Sequence, residues 1–457
     1  MRTLILIIVC ALCFGTLQLN AQWTTVGNAG FTTGKAHETS FAFSSTGEPY
    51  VAFKDETNSN KATVMKFNGT TWEIVGLAGF SAGAIGYPSF KISPADELYI
   101  AYQDAANSYK VSVMKFNGTT WDIVGVAGFS AGGTYNVSLA FNALGEPYVA
   151  YSDGGNSYKL SVMKFDGTNW INVGPAGFSP NIGGSPSLAF NSADVPYVAF
   201  KDIDTSSKKV TVMKFDSTDW YIVGSPRFSA GDMEYTSLAF NSADVPYVAY
   251  EDEGHSNKST VMKFNGTDWV NVGSAGFSAG NAIYVSLALN SNDEPYVSYM
   301  DAGNSYKATV MKFNGTDWIS VGSAGFSTSF SAYITIALHP INEIPYVAFQ
   351  DGGNSDKATV MKLDLASGFN EISENTAFLK MYPNPANHFL NIEAETISTS
   401  LNREKTVCIN IINILGSTVA TKQLNKGVNC IDISNLTKGI YFIKPLNYGT
   451  VVKFVKE

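Results

Sequence analysis

Short apolar runs recur along this chain, separated by turn-forming residues. Between Ser138 and Gly174 the runs are Ser138-Leu139-Ala140-Phe141, Pro147-Tyr148-Val149-Ala150-Tyr151, Leu160 to Phe165 and Trp170 to Val173. Asn142 to Glu146, Asp153-Gly154-Gly155-Asn156-Ser157 and Asp166-Gly167 stand between them. Runs of this length bounded by Asn, Asp and Gly predict strands joined by hairpins. No segment has the 3.6-residue period of an amphipathic helix.

The same pattern returns at a fixed interval. Trp occurs at 23, 72, 121, 170, 220, 269 and 318, in steps of 49 residues with one step of 50. A Met-Lys pair keeps the same beat at Met65, Met114, Met163, Met213, Met262, Met311 and Met361. A period of this size with four strands per unit predicts propeller blades. The phase adds a stronger constraint. The chain opens on a lone Trp strand, Trp23 to Val26, and the last unit stops at Leu363 without one. The first strand therefore completes the last blade, which removes two exposed sheet edges. The predicted fold class is all-β: a seven-bladed β-propeller over residues 22–365, closed by the N-terminal strand, followed by a small C-terminal β-sandwich. At 457 residues the chain would otherwise divide into about three ordinary domains.

Most repeated residues read as scaffold. Asn68-Gly69 and its counterparts fall where a two-residue hairpin needs positive φ, so the turn explains them better than a glycosylation sequon. The Trp residues and Phe31, Phe80, Phe129, Phe178, Phe228, Phe277 and Phe326 are expected to pack between blades. Each unit also pairs an Asp with a Lys six residues on, from Asp55/Lys61 through Asp202/Lys208 to Asp351/Lys357. The adjacent Lys argues against a calcium loop. A hairpin tied by side-chain hydrogen bonds and a surface ion pair is expected instead, the pair adding at most about 1 kcal/mol.

The blades differ most just before each inner strand, where loops would gather at the channel mouth. Two places before the inner-strand Ser or Thr stand Glu38, Tyr87, Asn136, Ser185, Tyr235, Tyr284 and Tyr333, with Tyr135 beside the third. Exposed tyrosines there are candidates for stacking on a sugar or gripping a peptide, or simply for covering the inner strands. Arg227 replaces a Gly of the other copies and is either an anion contact or a drifted loop. The expected ligand is a glycan or a protein.

Composition narrows the chemistry. Charged residues are 15% and the formal net charge is −9, which speaks against a nucleic-acid partner. Arg occurs only at 2, 227 and 403, so the arginine cluster of a sialidase is missing, as is its Asp-box pattern. The four His are scattered, so no metal site or other cofactor is expected. Glu38, Asp232 and Glu234 near the mouth leave a polysaccharide hydrolase or lyase as one alternative and a mainly structural surface protein as another.

The ends differ from the ring. Arg2, the apolar run Leu4 to Phe14 and Leu19-Asn20-Ala21 predict a cleaved secretory signal over 1–21. No transmembrane segment is expected in the mature chain. That leaves Cys408 and Cys430, which either pair after export or remain buried thiols. A polar linker is read over 366–379. Beyond it come Tyr382-Pro383-Asn384-Pro385-Ala386, Asn413-Ile414-Leu415-Gly416, Ile431-Asp432-Ile433-Ser434, Lys438-Gly439-Ile440-Tyr441 and Val452-Lys453-Phe454-Val455-Lys456-Glu457. Residues 380–457 closely resemble the C-terminal sorting domain of the type IX secretion system of Bacteroidota. The resemblance implies a β-sandwich recognised by that machinery, with Lys453 and Lys456 in the recognised terminal strand. It further implies an outer-membrane crossing, then release or surface attachment.

Overall fold

The computed structural model describes residues 22–364, 379–394, 406–414, 418–425, 427–445 and 452–457. The predicted signal and nearly all of the predicted linker lie outside the described residues, as does Gly416. Residues 23–363 form one compact unit and the C-terminal residues another.

The first unit is a seven-bladed β-propeller. Each blade is a four-stranded antiparallel sheet; the third consists of Thr134–Phe141, Pro147–Asp153, Lys159–Phe165 and Trp170–Asn172. The last blade takes Ser331–Leu338, Pro345–Asp351 and Lys357–Asp364, and Gln22–Thr25 supplies its outer strand. The first strands of successive blades contact one another in a closed cycle, Ala36–Phe43 against Ser331–Leu338 completing it. The second strand of each blade is buried along most of its length because neighbours cover both faces. That is why Pro-Tyr-Val-Ala-Tyr reads as continuously apolar rather than alternating.

Three devices hold the seams. Every Trp donates its indole N–H to a Val carbonyl of the preceding blade at 2.7–2.9 Å, from Trp72 on Val26 to Trp23 on Val321. Every Trp also stacks on its expected Phe, with centroids 3.9–4.5 Å apart. Along the inner strands, Ser Oγ accepts the backbone N–H of the next blade: Phe90 on Ser40, Leu139 on Ser89, Leu188 on Ser138 and Leu238 on Ser187, at 2.9–3.0 Å.

The Asp loops differ from expectation in one respect. The carboxylates are tied by hydrogen bonds: Asp153 Oδ1 accepts from the Gly155 N–H at 3.0 Å, and Oδ2 from Asn156 and Ser161 at 2.8 Å. Among the described residues none of the seven Asp–Lys pairs forms an ion pair. The Asp side chains are too deeply buried and already satisfied. In the fourth blade the register pairs Asp202 with Lys209, not Lys208, so the extra residue of the 50-residue step lies in this loop. The Asn-Gly turns also divide their roles. Only Gly takes positive φ, while Asn68 Oδ1 accepts the N–H groups of Thr70 and Thr71. Asp166 does the same in the third blade, which is why an acid can replace the amide.

The C-terminal unit is a β-sandwich. Leu379–Tyr382, Phe389–Ala394 and Gly427–Asp432 form one sheet; Thr418–Asn425, Thr406–Asn413, Gly439–Pro445 and Val452–Lys456 form the other. Leu390, Ile392 and Ile431 from the first meet Ile409, Ile411, Ile443 and Phe454 from the second in a single core. The segment from Asn384 to Ala386 covers the terminal strand: Asn384 Oδ1 accepts the Val455 N–H at 2.9 Å, and Ala386 N–H donates to the Val455 carbonyl at 2.8 Å. Tyr382 is exposed, Gly439 opens its strand, and Tyr441 is a core residue whose hydroxyl donates to the Thr437 carbonyl. Lys453 is exposed while Lys456 is buried. Cys430 lies on the first sheet with a free, exposed thiol, unlike either expected state. Cys408 lies on the second sheet, and its side chain falls outside the described residues.

Candidate functional site

The predicted mouth loops are strand. In every blade the inner strand begins before the candidate position, and that position is a β-bulge. Glu38, Tyr87, Asn136, Ser185, Tyr235, Tyr284 and Tyr333 all take positive φ, between 45° and 57°. Such a backbone costs a non-glycine residue about 1 kcal/mol or more. A bulge bends the strand and re-aims one side chain; repeated seven times, it gathers seven side chains at one end of the channel.

Six of the candidates form an arc. Tyr235 packs on Tyr284 at 4.9 Å, Tyr284 on Tyr333 at 4.7 Å, and Tyr87 on Tyr135 at 6.5 Å. The three rings are tilted on one another by 52° and 42°. Glu38 bridges the two groups of rings: its carboxylate accepts the Tyr87 N–H and meets Lys54 Nζ at 3.4 Å. The first three rings are half-buried against each other, whereas Tyr87 and Tyr135 are exposed. Burial, then the neighbouring Glu251 and Glu234, push the Tyr235 phenol up to about 12; burial, then Tyr284 and Glu38, do the same for Tyr333. The Tyr235 and Tyr333 hydroxyls therefore remain protonated donors. Asn136 and Ser185 leave the arc open at the third and fourth blades, where Ser185 N–H donates to Asn136 Oδ1 at 3.4 Å.

Arg227 is not brought to this site. Its guanidinium donates to the Asp202 carbonyl at 2.8 Å and to Ser207, and meets the Asp204 carboxylate at 3.0 Å. In other blades its place is a left-handed Gly whose added Cβ would fall 2.6–2.8 Å from the Cβ of a loop Asn, as at Gly79 with Asn58, or of His255 in the fifth blade. The fourth blade lacks that Asn, which makes room for a side chain. Arg227 thus braces the altered loop.

Sequence reasoning missed three groups. Tyr109, Tyr158 and Tyr306 are exposed on the Asp loops, and Tyr158 packs on Tyr135 at 5.4 Å. The residue preceding each loop Asp is Lys54, Gln103, Ser152, Lys201, Glu251, Met300 or Gln350, the place in the second strand where charge and polarity vary most. Its register partner lies at the bulged end of the inner strand, as Glu234 does opposite Glu251. Glu251 is buried, and burial followed by repulsion from Glu234 raises its carboxyl to about 7. Glu234 is held by Lys201 and by Lys208 at 3.7 Å, and Asp232 Oδ1 accepts the Lys208 N–H. The third missed residue is Lys91. A break in an inner-strand alanine position was the available signal in each case of this kind.

Two half-open cavities adjoin the ring. One of about 260 Å³ lies beside the arc, between Glu38, Lys54, Tyr87, Gln103 and Tyr109. The larger, about 460 Å³, is lined by Val26, Glu48, Asn68, Tyr346 and Lys362 at the closing seam, away from the tyrosines. Among the described residues no cluster of three or more His, Cys, Asp or Glu is placed to hold a metal, and no helix is long and apolar enough to cross a membrane.

A closed ring of seven four-stranded sheets and a separate C-terminal β-sandwich define a two-part all-β protein built on a propeller. Residues 380–457 match the family described as the secretion system C-terminal sorting domain. The chain therefore carries a type IX export tail, which implies interaction with that machinery and a secreted or cell-surface protein. No curated protein matches the chain. Among solved structures, similar folds include an ulvan lyase from a new polysaccharide lyase family, at 11% identity, 76% coverage of this chain, 94% of that one and a TM-score of 0.49. A protein of unknown function from Dyadobacter fermentans DSM 18053 is 12% identical, with 76% and 98% coverage and a TM-score of 0.47. The Hadza microbial sialidase Hz136 is 15% identical, with 70% and 74% coverage and a TM-score of 0.47. Likenesses this distant carry no argument about activity.

Proposed function

We propose that this is an exported carbohydrate-binding propeller whose ligand docks on the tyrosine arc at the channel mouth. In this reading residues 1–21 are the removed signal, 22–365 the binding ring, 366–379 a linker and 380–457 the export tail. The observation that carries it is the contiguous Tyr235–Tyr284–Tyr333 row of tilted rings, held in strained backbone. Ring faces match the apolar faces of sugars, and hydroxyl edges match their polar rims. Glycan-array binding by the secreted protein, followed by calorimetry, tests it. Tyr284→Ala should weaken binding at least about 10-fold, as loss of one stacking ring of roughly 1.5 kcal/mol implies. Full retention by the Tyr235, Tyr284 and Tyr333 triple Ala variant refutes the site, and a protein ligand captured by the same surface redirects it.

One observation favours a second function, cleavage of a polysaccharide. Glu251, its carboxyl raised to about 7, keeps a proton part of the time near neutral pH beside Glu234, which is ion-paired with Lys201 and Lys208; a raised carboxyl next to an ion-paired one suits acid and base roles. Depolymerisation lost in both Glu251→Gln and Glu234→Gln supports it, and binding without turnover in the native protein removes it.

A further inference from the structure

One residue breaks the seven-fold pattern inside the channel. The inner-strand position paired with the first Tyr of the second strand is Ala42, Ala140, Ala189, Ala239, Ala288 and Ala337 in six blades. In the second blade it is Lys91, opposite Tyr99. The alanines are partly exposed and Lys91 is exposed, although inner strands are flanked by other inner strands and by their own sheets. A side chain exposed from such a strand has only the channel to enter. Among the described residues the Lys91 ammonium has no hydrogen-bond or ion-pair partner. The other ionisable residues of the inner strands, His37, Glu38, Tyr87, Tyr135, Glu234, Tyr235, Tyr284 and Tyr333, lie at or beside the bulges. Lys91 is four residues deeper, or about 13 Å along a strand. Enclosure by the surrounding ring lowers its pKa although the side chain is reached by solvent, and no neighbouring acid offsets this.

We propose that Lys91 makes the channel an oxyanion site, taking a single carboxylate or sulfate carried by the ligand that docks at the mouth. An ammonium that stands in the channel with no partner is a free positive charge for an incoming anion to pair with. The equivalent residue of the other six blades is a small, uncharged alanine, so none of them offers a competing acid. The inference deepens the mouth reading, since it makes the preferred saccharide an acidic one whose charged group enters the channel.

Reductive ¹³C-methylation of the whole secreted protein keeps every lysine charged and gives each a resonance. Lys91→Ala identifies the Lys91 signal, and this variant restores the residue found in six blades, so it is expected to fold. Titration with sodium sulfate, sodium glucuronate and neutral glucose, against chloride at equal ionic strength, then reads the site. Expected are a saturable shift confined to Lys91 and a rise in its pKa with at least one of the two anions, and none with glucose. Which anion acts identifies the group. A Lys91 signal that titrates near 10.5 and moves no more than other lysines overturns the proposal. The triple tyrosine variant should keep the anion response, so failure of the arc and failure of Lys91 are separable. For an acidic oligosaccharide, Lys91→Ala should weaken binding at least about 10-fold and leave a neutral one unchanged.

Discussion

The blades supply their own controls for one buried hydroxyl. At the centre of each second strand stands an aromatic residue: Phe53, Phe200 and Phe349 in three blades, Tyr102, Tyr151, Tyr250 and Tyr299 in four, all essentially buried. Three of the tyrosines donate to a methionine sulfur, Tyr151 on Met163, Tyr250 on Met262 and Tyr299 on Met311, at 3.1–3.2 Å. The Tyr102 hydroxyl has no partner. Burial, aided by Asp104, raises its pKa, so it stays a neutral donor. An unsatisfied buried hydroxyl costs about 1–3 kcal/mol, and phenylalanine already fits this place in three blades. Tyr102→Phe should therefore stabilise the ring by about 1–2 kcal/mol. Tyr151→Phe loses only a weak bond to sulfur and should change stability by less than about 0.5 kcal/mol. Urea unfolding of the full chain, followed by fluorescence of the seven seam tryptophans, measures both. The expected result is a raised midpoint for Tyr102→Phe at unchanged slope. Destabilisation by Tyr102→Phe, or equal shifts in the two variants, would falsify the reasoning.

Three further outcomes follow from the seams and the channel. Trp23→Ala removes the Phe326 stack and the Val321 hydrogen bond, and should cost about 3–5 kcal/mol; deletion of residues 22–27 should lower the melting temperature further, and an unchanged melt contradicts closure by this strand. Ser138→Ala leaves the Leu188 N–H without its acceptor and should cost about 1–3 kcal/mol, read as a lower urea midpoint; no change means water replaces the hydroxyl. Glu251→Gln should alter the pH profile. The folded carboxyl keeps its proton to about 7 and the unfolded one loses it near 4.5, so native stability falls as pH rises between those values. Linkage gives at most about 3 kcal/mol, which access of channel water reduces to about 1–2. The variant should therefore gain on the native protein at pH 8 and not at pH 4, and parallel melting profiles contradict this.

The ring was readable because its defining features are local and repeated. Evenly spaced Trp counted the blades, and the missing last strand fixed how they close. Packing partners were readable for the same reason: one Trp and one Phe per unit can satisfy seven equivalent seams only by meeting each other. Three-dimensional detail was less accessible. A left-handed bulge at Glu38 or Tyr284 leaves no Gly to mark it, so strand was read as loop. The Asp–Lys spacing suggested charge pairing, but burial of Asp153 beside Asn156 and Ser161 gave its carboxylate better partners. Arg227 looked exceptional as a residue, yet it is one half of a paired change, an extra loop residue and the side chain that braces it.

These two kinds of position also separate scaffold from chemistry. A closed ring demands that each blade offer the same faces to its neighbours, so Trp, Phe and inner-strand Ser recur almost without exception. The channel wall carries no such demand, because a side chain there meets solvent or ligand instead of a second blade. Divergence accordingly gathers at the bulges, at the place before each loop Asp and at Lys91, all on strands buried elsewhere by constant residues. An asymmetric ligand is the partner such an arrangement suits. The tyrosines occupy one side of the mouth, Asn136 and Ser185 open the other, and a single ammonium marks one point below. A ligand filling the ring with seven equivalent contacts would instead favour identical residues in every blade.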